Sequence, residues 1–446
     1  MESFDLLREL LENRDYRQLR SRLMAMNEVD IAQFIEELTT EKALVAFRAL
    51  PKEQAAEVFA NFSSELQEYI ISSINDQELA FIIEELFVDD AVDMLEELPA
   101  NVVKRVLRNA TPETRSLINQ FLQYPENSAG SIMTAEFTDL HSDMSVADAI
   151  SHIRRTGEDR ETVYTCYVTD SRRVLDGVVT VKDLLLSDDS RTVAEVMDTD
   201  VIYATTLEDQ EEVANRFKKY GLLSMPVVDH ETRLVGIITV DDVLDVLEEE
   251  ATEDFEKMAA MIPSERPYLK TSVLSLAKNR IVWLLVLMVS GMITGAILGR
   301  YEAAFAAMPM LVTFIPMLTD TGGNAGSQSS TLVIRGIALA EIRSKDLLAV
   351  MWKELRVSIL VGAALGTVNL VRLMITYPGN TAMALTVSIT LFATVLIAKT
   401  VGSMLPIVAK VFKADPAIMA APLITTIVDA LSLIIYFSVA TRLLPM

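Results

Sequence analysis

The stretch PAIMAAPLITTIVDALSLIIYFSVAT, residues 416–441, is long and apolar enough to cross a bilayer, yet it carries one carboxylate, Asp429, and no basic residue. A charged side chain at the centre of a membrane helix costs about 2.5–3.5 kcal/mol or more unless it faces protein or water. Four polar side chains share the helical face of Asp429, namely Thr425, Thr426, Ser432 and Tyr436. The stretch therefore predicts a membrane helix with one polar stripe, which we interpret as the wall of a cation pathway.

Four more apolar stretches precede this one, so residues 276–446 are predicted to form a five-helix transmembrane domain. They are Ile281–Gly299, Ala303–Ile334, a run from Arg356 to about Tyr377, and a run from about Thr381 to Val408. An odd number of spans puts the two ends on opposite sides. Basic residues cluster on the flanks that share a side with the N-terminus, which predicts a cytosolic N-terminus and an external C-terminus in the plasma (inner) membrane. Lys399 falls inside the fourth span; it could face the pore, but we favour its interpretation as a snorkelling or boundary residue.

The second span contains an unusual polar segment, PMLTDTGGNAGSQ, residues 316–328. Asp320, Asn324 and Gln328 are four residues apart and share a helical face. The glycines, at 322, 323 and 326, are predicted to loosen the helix and expose carbonyl oxygens, which is tolerated only beside protein or a water-filled cavity. We therefore expect this segment to face the Asp429 stripe. The alternative is a polar helix–helix contact without transport.

The side chains of both segments are hard oxygen ligands, which suit Mg²⁺, Ca²⁺ or Mn²⁺. No cluster of Cys and His favours a softer metal. Mg²⁺ loses its water reluctantly, so a selective pore is predicted to hold the hydrated ion with Asp429 as an outer-shell anchor. The residues leave the choice among Mg²⁺, Ca²⁺, Mn²⁺ and Co²⁺ open.

Charge divides the chain of 446 residues, whose formal net charge is −24, into two parts. Residues 1–275 carry a net −30 and residues 276–446 a net +6. Because phosphate binding needs clustered basic residues, the acidic part argues against nucleic acid and for divalent cations as partners. The single Cys166 fits a reducing compartment, and the charged N-terminus predicts no signal peptide, so we expect this part in the cytosol.

The acidic part contains an internal duplication, predicted to form two α/β units at residues 131–195 and 196–250. Gly177–Asp183 and Gly236–Asp242 repeat one pattern, glycine, two apolar residues, threonine, an apolar residue, any residue and aspartate. Each unit also has a predicted amphipathic helix, at Val146–Arg155 and Gln210–Tyr220. This pattern resembles a CBS-domain pair. The resemblance implies face-to-face dimerisation and an adenine nucleotide such as ATP, its ribose held by Asp183 or Asp242; a nucleotide-free scaffold is the alternative.

The remaining cytosolic stretches are predicted to be helical. Residues 1–130 have apolar residues at three- and four-residue spacing, with repeated helix starts such as Leu50-Pro51 and Leu98-Pro99, which predicts an all-α superhelical array. Residues 251–275 are predicted to be an acidic connecting helix, which reaches the first span by way of Pro263 and Pro267. A series of acidic residues on a helix usually forms a face exposed to solvent. The position of this helix between the CBS pair and the membrane nevertheless indicates a regulatory element.

With these parts in this order, the chain resembles the MgtE family of magnesium channels over essentially its whole length. The most specific segments are Asp320–Gln328 and Pro422–Ala430. The resemblance implies a homodimer with one pore on the two-fold axis, lined by spans two and five. Asp429 of both subunits would anchor the hydrated ion, beside Thr425 and Ser432, and Gly322, Gly323, Asn324 and Gly326 would belong to the pore segment.

The resemblance also implies a gate. The connecting helices, called plugs in this family, would close the cytosolic mouth when Mg²⁺ binds between domains. The matching acidic positions are Glu57, Asp89 and Asp93 in residues 1–130, Asp209 and Glu211 in the second CBS unit, Asp242, Asp245, Glu250 and Glu253 along the connection, and Asp415 at the inner end of span five. Two positions depart from the family pattern: Ser432 replaces a common glycine, and Gly221 replaces an acidic residue found in some members.

The sequence thus predicts a Mg²⁺-selective channel that takes up Mg²⁺ along the membrane potential and is closed by cytosolic Mg²⁺. Two alternatives remain open, a Na⁺- or H⁺-coupled divalent-cation exchanger and a membrane-anchored CBS sensor. An enzyme is not expected, because no Walker loop or nucleophile motif is present and the three histidines lack metal-ligand spacing.

Overall fold

A computed structural model describes residues 4–264, 268–269, 271–302 and 308–444, without the side chains of Glu53 and Ala421. Pro267 and residues 303–307, which the sequence analysis placed in the connection and in the second span, lie outside the described residues. The chain divides into two compact units, Met1–Leu247 and Glu248–Met446, and each is treated separately below.

Ten short helices open the first unit. They are α1 (Phe4–Glu12), α2 (Tyr16–Leu23), α3 (Glu28–Glu36), α4 (Thr40–Phe47), α5 (Lys52–Ala60), α6 (Ser64–Ser73), α7 (Asp76–Glu85), α8 (Val88–Glu97), α9 (Ala100–Asn109) and α10 (Pro112–Phe121). The expected helix starts are confirmed, with Pro51 and Pro99 at N-caps and Pro112 in the first turn. Proline fits there because the first N–H groups of a helix have no partner within the helix.

The two CBS units follow, each built on a three-stranded sheet. The first contains β1 (Asp139–His141), α11 (Val146–Thr156), β2 (Thr165–Thr169), β3 (Leu175–Thr180) and α12 (Val181–Leu186). The second contains β4 (Ala204–Thr205), α13 (Gln210–Tyr220), β5 (Ser224–Val228), β6 (Leu234–Thr239) and α14 (Val240–Met258). In both sheets the first strand pairs parallel and the third antiparallel with the central strand, as the duplication predicts. Short 3₁₀ turns occupy Gly157–Asp159 and Val193–Glu195.

The two units exchange short segments. Thr134 N–H donates to Ile237 O at 2.8 Å, so the chain before β1 pairs with the second sheet. Asp198 N–H donates to Val178 O at 2.8 Å, so the chain before β4 pairs with the first. The predicted boundaries 131–195 and 196–250 therefore separate two units that are interlocked through their first residues.

One hydrophobic core joins the helical array to the second CBS unit. It runs from Leu7 through Phe34, Phe59 and Ile83 to Phe217 and Val243. The first CBS unit has its own smaller core around Cys166, Val168 and Leu184. Asp89 and Asp90 of α8 and Asp242 at the start of α14 are therefore parts of the same compact unit.

The connecting helix differs from the prediction. α14 is continuous from the CBS closing helix into the acidic run and ends at Met258, so the described residues 259–264 are not helical. The prediction of one helix over 251–275 is therefore wrong. Ala260 has φ of 53°, a left-handed conformation that ends a helix.

The described residues of the second unit form five long helices. They are α15 (Val273–Arg300), α16 (Ile315–Ala338), α17 (Leu347–Thr376), α18 (Thr381–Val411) and α19 (Ala421–Leu443), with 3₁₀ turns at Pro309–Phe314, Ser344–Asp346 and Pro416–Met419. Four segments of the described residues are long and apolar enough to span a membrane, those of α15, α17, α18 and α19. α16 is the polar second span, whose sequence carries Asp320, Asn324 and Gln328 among its apolar residues.

α16, α18 and α19 form the centre of this unit, with α17 against α18 and α15 against α19. Tyr301, at the end of α15, stacks on Phe437 of α19 with ring centroids 4.4 Å apart. Gly362 and Gly366 lie against Phe392 and Ser388 of α18, and their small size lets α17 and α18 approach closely. Gly291, Gly295 and Gly299 of α15 have open space around them within this chain.

Candidate functional site

Asp429 lies half-buried in the middle of α19. Asp320, near the start of α16, is exposed and close enough for the two carboxylates to repel each other. A Cβ at Gly323 of α16 would lie 2.9 Å from Thr425 Cγ2 of α19, so the segments that carry the two acidic side chains pack against each other. The expected facing of the two segments is what the structure shows.

The glycines of α16 pack against its neighbours. A Cβ at Gly322 would lie 2.7 Å from Thr394 Cγ2 and 2.8 Å from Val428 Cγ1, and one at Gly326 would lie 2.7 Å from Ile424 Cγ2. The prediction that these glycines unwind the helix is wrong, since α16 is helical throughout Ile315–Ala338. Their small size instead lets α16 approach α18 and α19 closely, which brings Asp320 towards Asp429.

The polar face of α16 remains open. Asn324 and Gln328 are exposed, and together with Ser327, Thr331, Leu332 and Lys399 they line a cavity of about 790 Å³. Because α16 rises about 1.5 Å per residue, Gln328 lies about 12 Å along the helix from Asp320. The cavity therefore continues the polar face away from the acidic pair.

The polar side chains predicted to line the pathway beside Asp429 have different surroundings in the structure. The Thr425 and Thr426 hydroxyls donate to Pro422 O at 2.9 and 3.1 Å, and Thr425 Cγ2 lies 2.9 Å from a Cβ position at Gly323. Tyr436 is fully buried and donates to Leu311 O at 3.0 Å, so its predicted place on the pathway wall is wrong. Ser432 is 1% exposed, and its hydroxyl has no hydrogen-bond partner among the described residues.

Lys399 also differs from the prediction. It is 5% exposed, and its Nζ donates to Ser329 Oγ at 3.3 Å. Ser329 in turn donates to Glu354 Oε2 of α17 at 2.6 Å. The residue lies inside the bundle, so its interpretation as a snorkelling or boundary lysine is wrong.

In the first unit, carboxylates from three parts of the chain converge. Asp89 and Asp90 of α8 interact electrostatically with Asp242 of α14 and with Glu161 of the first CBS unit. Burial, and then this mutual repulsion, raises the pKa of Asp90 to about 6 and that of Glu161 to about 7, and the pKa of Asp89 well above its usual value. Burial raises the pKa of Asp242 to about 6. Asp241 and Glu136 lie beside this cluster, and no Lys or Arg among the described residues contributes to the pKa shifts of its four carboxylates.

A second acidic group lies in the membrane unit, where Lys257 of α14 supplies the cation. Its Nζ is 2.6 Å from Glu253 and 2.6 Å from Asp415, which precedes α19. Burial alone would lower the pKa of Lys257, but the hydrogen bonds to Asp415 and Glu253 outweigh it and raise that pKa. Burial, and then the charge of Asp415, raises the pKa of neighbouring Asp254 to about 6.

Comparison with known proteins gives a consistent result along the chain. The MgtE profile, described as a divalent cation transporter, matches residues 315–439; the MgtE intracellular N domain matches 26–127; and CBS domains match 129–188 and 193–249. The magnesium transporter MgtE of Thermus thermophilus is 37% identical over 441 residues, covering 98% of each chain. The chain belongs to the MgtE family.

Other members of the family agree. The magnesium transporter MgtE of Bacillus subtilis is 37% identical and covers 73% of this chain and 71% of its own. A crystal structure of the cytosolic domain of the Mg²⁺ channel MgtE in complex with ATP covers 55% of this chain and all of that one, at 38% identity and a TM-score of 0.52. A crystal structure of the soluble part of a magnesium transporter is 30% identical in sequence to this chain, with a TM-score of 0.53. The relatives are transporters, so the prediction of a non-enzymatic protein is confirmed.

In this MgtE protein the other predicted metal ligands are dispersed. Glu57 of α5 and Asp93 of α8 are exposed, and burial followed by the charge of Glu28 raises the pKa of Glu57. Asp209 caps α13 by accepting from Glu211 N–H at 2.9 Å. No group of three or more His, Cys, Asp or Glu side chains in the described part of the chain is arranged to hold a metal directly.

The two aspartates predicted to contact a nucleotide have a local role as well. Asp183 accepts from Thr180 N–H at 3.3 Å, and Asp242 accepts from Thr239 N–H at 3.4 Å and from its hydroxyl at 2.5 Å. These capping contacts explain the threonine–aspartate spacing of the repeat. Their surroundings differ, because Asp183 is exposed whereas Asp242 belongs to the acidic cluster.

Two features of this family member escaped sequence reasoning. Lys257 lies four residues after Glu253, a spacing that reads as an ordinary helix ion pair, and nothing in the sequence places Asp415 beside it. Gly221 adopts φ of 64° at the end of α13, where a left-handed cap favours glycine. The departure from the family's acidic residue thus has a local reason.

Proposed function

We propose that the chain is a Mg²⁺ channel that admits Mg²⁺ along the membrane potential and closes when cytosolic Mg²⁺ is high. The observation that carries this is the packing of the Asp320 segment of α16 against the Asp429 stripe of α19, beside the open polar face of α16. The names of the 37%-identical relatives support Mg²⁺ as the ion. A divalent ion gains about 4.6 kcal/mol per 100 mV, so no other energy source is needed.

The permeation path we propose is made by two copies of the chain. In a homodimer the exposed polar faces of α16 and the half-buried Asp429 side chains would face each other across a two-fold axis. A hydrated Mg²⁺ presents hydrogen-bond donors outward, which carboxylates and the side-chain oxygens of Asn324 and Gln328 can accept. We place the N-terminus in the cytosol and the C-terminus outside, following the distribution of basic residues.

The gate we propose uses the two acidic groups. The first group consists of the carboxylates of Asp89, Asp90, Asp242 and Glu161, which repel one another when no cation is bound. Hydrated Mg²⁺ ions from the cytosol would bridge these carboxylates and hold them together. The second group, Glu253 and Asp415, would close the cytosolic mouth through α14. Because several weak sites act on one equilibrium, closure should be steep in Mg²⁺.

We also propose ATP at the first CBS unit. The related cytosolic domain has been solved with ATP. Asp183 is exposed and outside the acidic cluster, whereas the carboxylates around Asp242 would repel a polyphosphate. Of the two predicted ribose contacts we therefore favour Asp183.

The decisive experiment is a recording from membrane patches with the cytosolic face exposed, with cytosolic Mg²⁺ stepped from nominally zero to about 10 mM. Current that follows the membrane potential and closes at high Mg²⁺ supports the channel. Mg²⁺ movement that needs an imposed Na⁺ or H⁺ gradient would instead establish the coupled exchanger. Absence of any flux from purified protein would leave the CBS sensor.

Lys257→Gln should raise the cytosolic Mg²⁺ concentration needed to close the channel, about threefold to tenfold. Lys257 bridges Glu253 of α14 and Asp415, so its loss removes a contact that holds α14 in place, and closure must depend on Mg²⁺ alone. The measurement is the Mg²⁺ dependence of current in the same patches. Lys218→Gln, an exposed lysine on α13, is the control, and an unchanged closing concentration in Lys257→Gln would exclude this role.

In Mg²⁺-free buffer, the Tm of a cytosolic fragment ending at residue 264 should fall by ~5 °C as pH rises from about 4 to about 7. Folding raises the pKa values of Asp90 and Asp242 to about 6 and of Glu161 to about 7, so the folded state holds extra protons that it loses across this window. Mg²⁺ at about 10 mM should remove the slope by replacing those protons.

Calorimetry or fluorescence melting at fixed pH values tests this expectation. Asp89→Asn should flatten the slope, because it removes one of the repelling charges, whereas Glu113→Gln, at an exposed position of α10, should not. A slope of opposite sign would show that the cluster is not under electrostatic repulsion.

A further inference from the structure

The cavity beside α16 has one wall residue that does not fit a cation pathway, the buried Lys399. Its other polar wall residues, Asn324, Ser327, Gln328 and Thr331, carry oxygen atoms that can accept hydrogen bonds from the water shell of a cation. An ammonium group has three donors and no acceptor. Lys399 therefore cannot hold a hydrated cation, and its charge opposes one.

A chain of hydrogen bonds joins this lysine to a carboxylate on the third membrane helix. Lys399 Nζ donates to Ser329 Oγ at 3.3 Å, and Ser329 Oγ donates to Glu354 Oε2 at 2.6 Å. Ser329 is 1% exposed and Glu354 is half-buried, so the middle of the link lies inside the bundle. No direct ion pair joins Lys399 and Glu354 within the described residues, which leaves Ser329 as the bridge.

We propose that Glu354, acting through Ser329, offsets the positive charge of Lys399, and that this pair sets the affinity of the inner cavity for a divalent cation. The inference rests on the proposed channel function, since it assumes that the cavity belongs to the ion path. The electrostatic energy between a fixed charge and a divalent ion is twice that between the same charge and a monovalent ion. An unbalanced charge beside the cavity therefore acts more strongly on a divalent ion than on a monovalent one. Lys399 and Glu354 are specificity-determining residues of this kind, and Ser329 positions them.

Removing one charge of this pair should shift the Mg²⁺ concentration that half-saturates the current, and the two single variants should shift it in opposite directions. Glu354→Gln leaves the lysine charge uncompensated and should raise the Mg²⁺ concentration that half-saturates the current at least about tenfold. Lys399→Gln leaves the carboxylate uncompensated and should lower that concentration by a similar factor. The double variant removes both charges and should return close to the wild-type value, and Lys399→Arg should preserve it.

The test uses full-length protein in bilayers or patches with nominally zero cytosolic Mg²⁺ and a titration of Mg²⁺ on the outer side. Lys410→Gln on α18 and Glu341→Gln, both exposed, are matched charge controls and should stay near wild type. A merely structural role would weaken both single variants in the same direction and would not be repaired in the double variant. Equal half-saturation in all variants would also overturn the proposal.

The two failures are distinguishable in the same recordings. A wild-type protein without Mg²⁺ current defeats the proposed function and this inference with it. A wild-type protein with Mg²⁺ current, whose charge variants do not shift in opposite directions, defeats the inference alone. Size-exclusion profiles of each variant establish that the folded protein is being compared.

Discussion

Asp429→Ala should abolish Mg²⁺ current, with a decrease of at least a hundredfold at saturating expression. The carboxylate lies half-buried in the middle of the apolar helix α19, within electrostatic range of Asp320 on α16. A carboxylate that attracts a doubly charged hydrated ion at this depth contributes ~3 kcal/mol or more, and about 2.7 kcal/mol is already a hundredfold. Asp429→Asn should lose nearly as much, because the amide keeps the shape and loses the charge.

The comparison needs a control that changes charge without changing the path. Glu341→Gln is suitable, since Glu341 is exposed between α16 and α17. Currents should be normalised to the amount of folded protein in the membrane. Full Mg²⁺ current in Asp429→Asn would show that Asp429 is a structural polar residue and would remove the main support for the proposed pore.

Gly402→Ala should prevent stable assembly of the membrane unit, with a loss of ~3 kcal/mol or more. A Cβ at Gly402 of α18 would lie 2.9 Å from the carbonyl carbon and 3.0 Å from the Cα of Gly326, and closer still to its oxygen. These are backbone atoms of α16, which cannot move aside as a flexible side chain would. The two helices would have to separate, and the approach of Asp320 to Asp429 would be lost with them.

Thermal unfolding of detergent-solubilised protein, followed by size-exclusion chromatography, measures this effect. Gly291→Ala is the matched control, because a Cβ at Gly291 meets open space in this chain and alanine is a good helix former. A Gly402→Ala protein with wild-type Tm and wild-type current would mean that α16 and α18 can separate without consequence for the path.

Local patterns in the sequence were sufficient for most of the architecture. Helix starts such as Pro112, the helices at residues 146–156 and 210–220, and the five long helices after residue 272 follow from spacing, capping and hydropathy. The facing of Asp320 and Asp429 was also predicted, because carboxylates inside apolar helices are tolerated only beside other polar groups. These inferences depend on residues close together in the chain or on one strong energetic rule.

The errors concern residues whose surroundings come from distant parts of the chain. Tyr436 looked like part of the pathway wall until its hydroxyl was placed on Leu311 O, and Lys399 looked like a boundary residue until Ser329 and Glu354 were placed beside it. The glycines of α16 suggested an unwound helix, because their partners on α18 and α19 cannot be read from the sequence.

The sequence by itself determined that this protein is an acidic multidomain chain attached to an apolar helical bundle with carboxylates inside it. Only the tertiary structure decided that Lys257 bridges Glu253 and Asp415, and that Asp242 lies in one acidic cluster with Asp89. The physical reason is the distance along the chain over which each interaction acts. Periodicity and capping act within a few residues, whereas charge compensation and close helix packing depend on which distant segments the folded chain brings together.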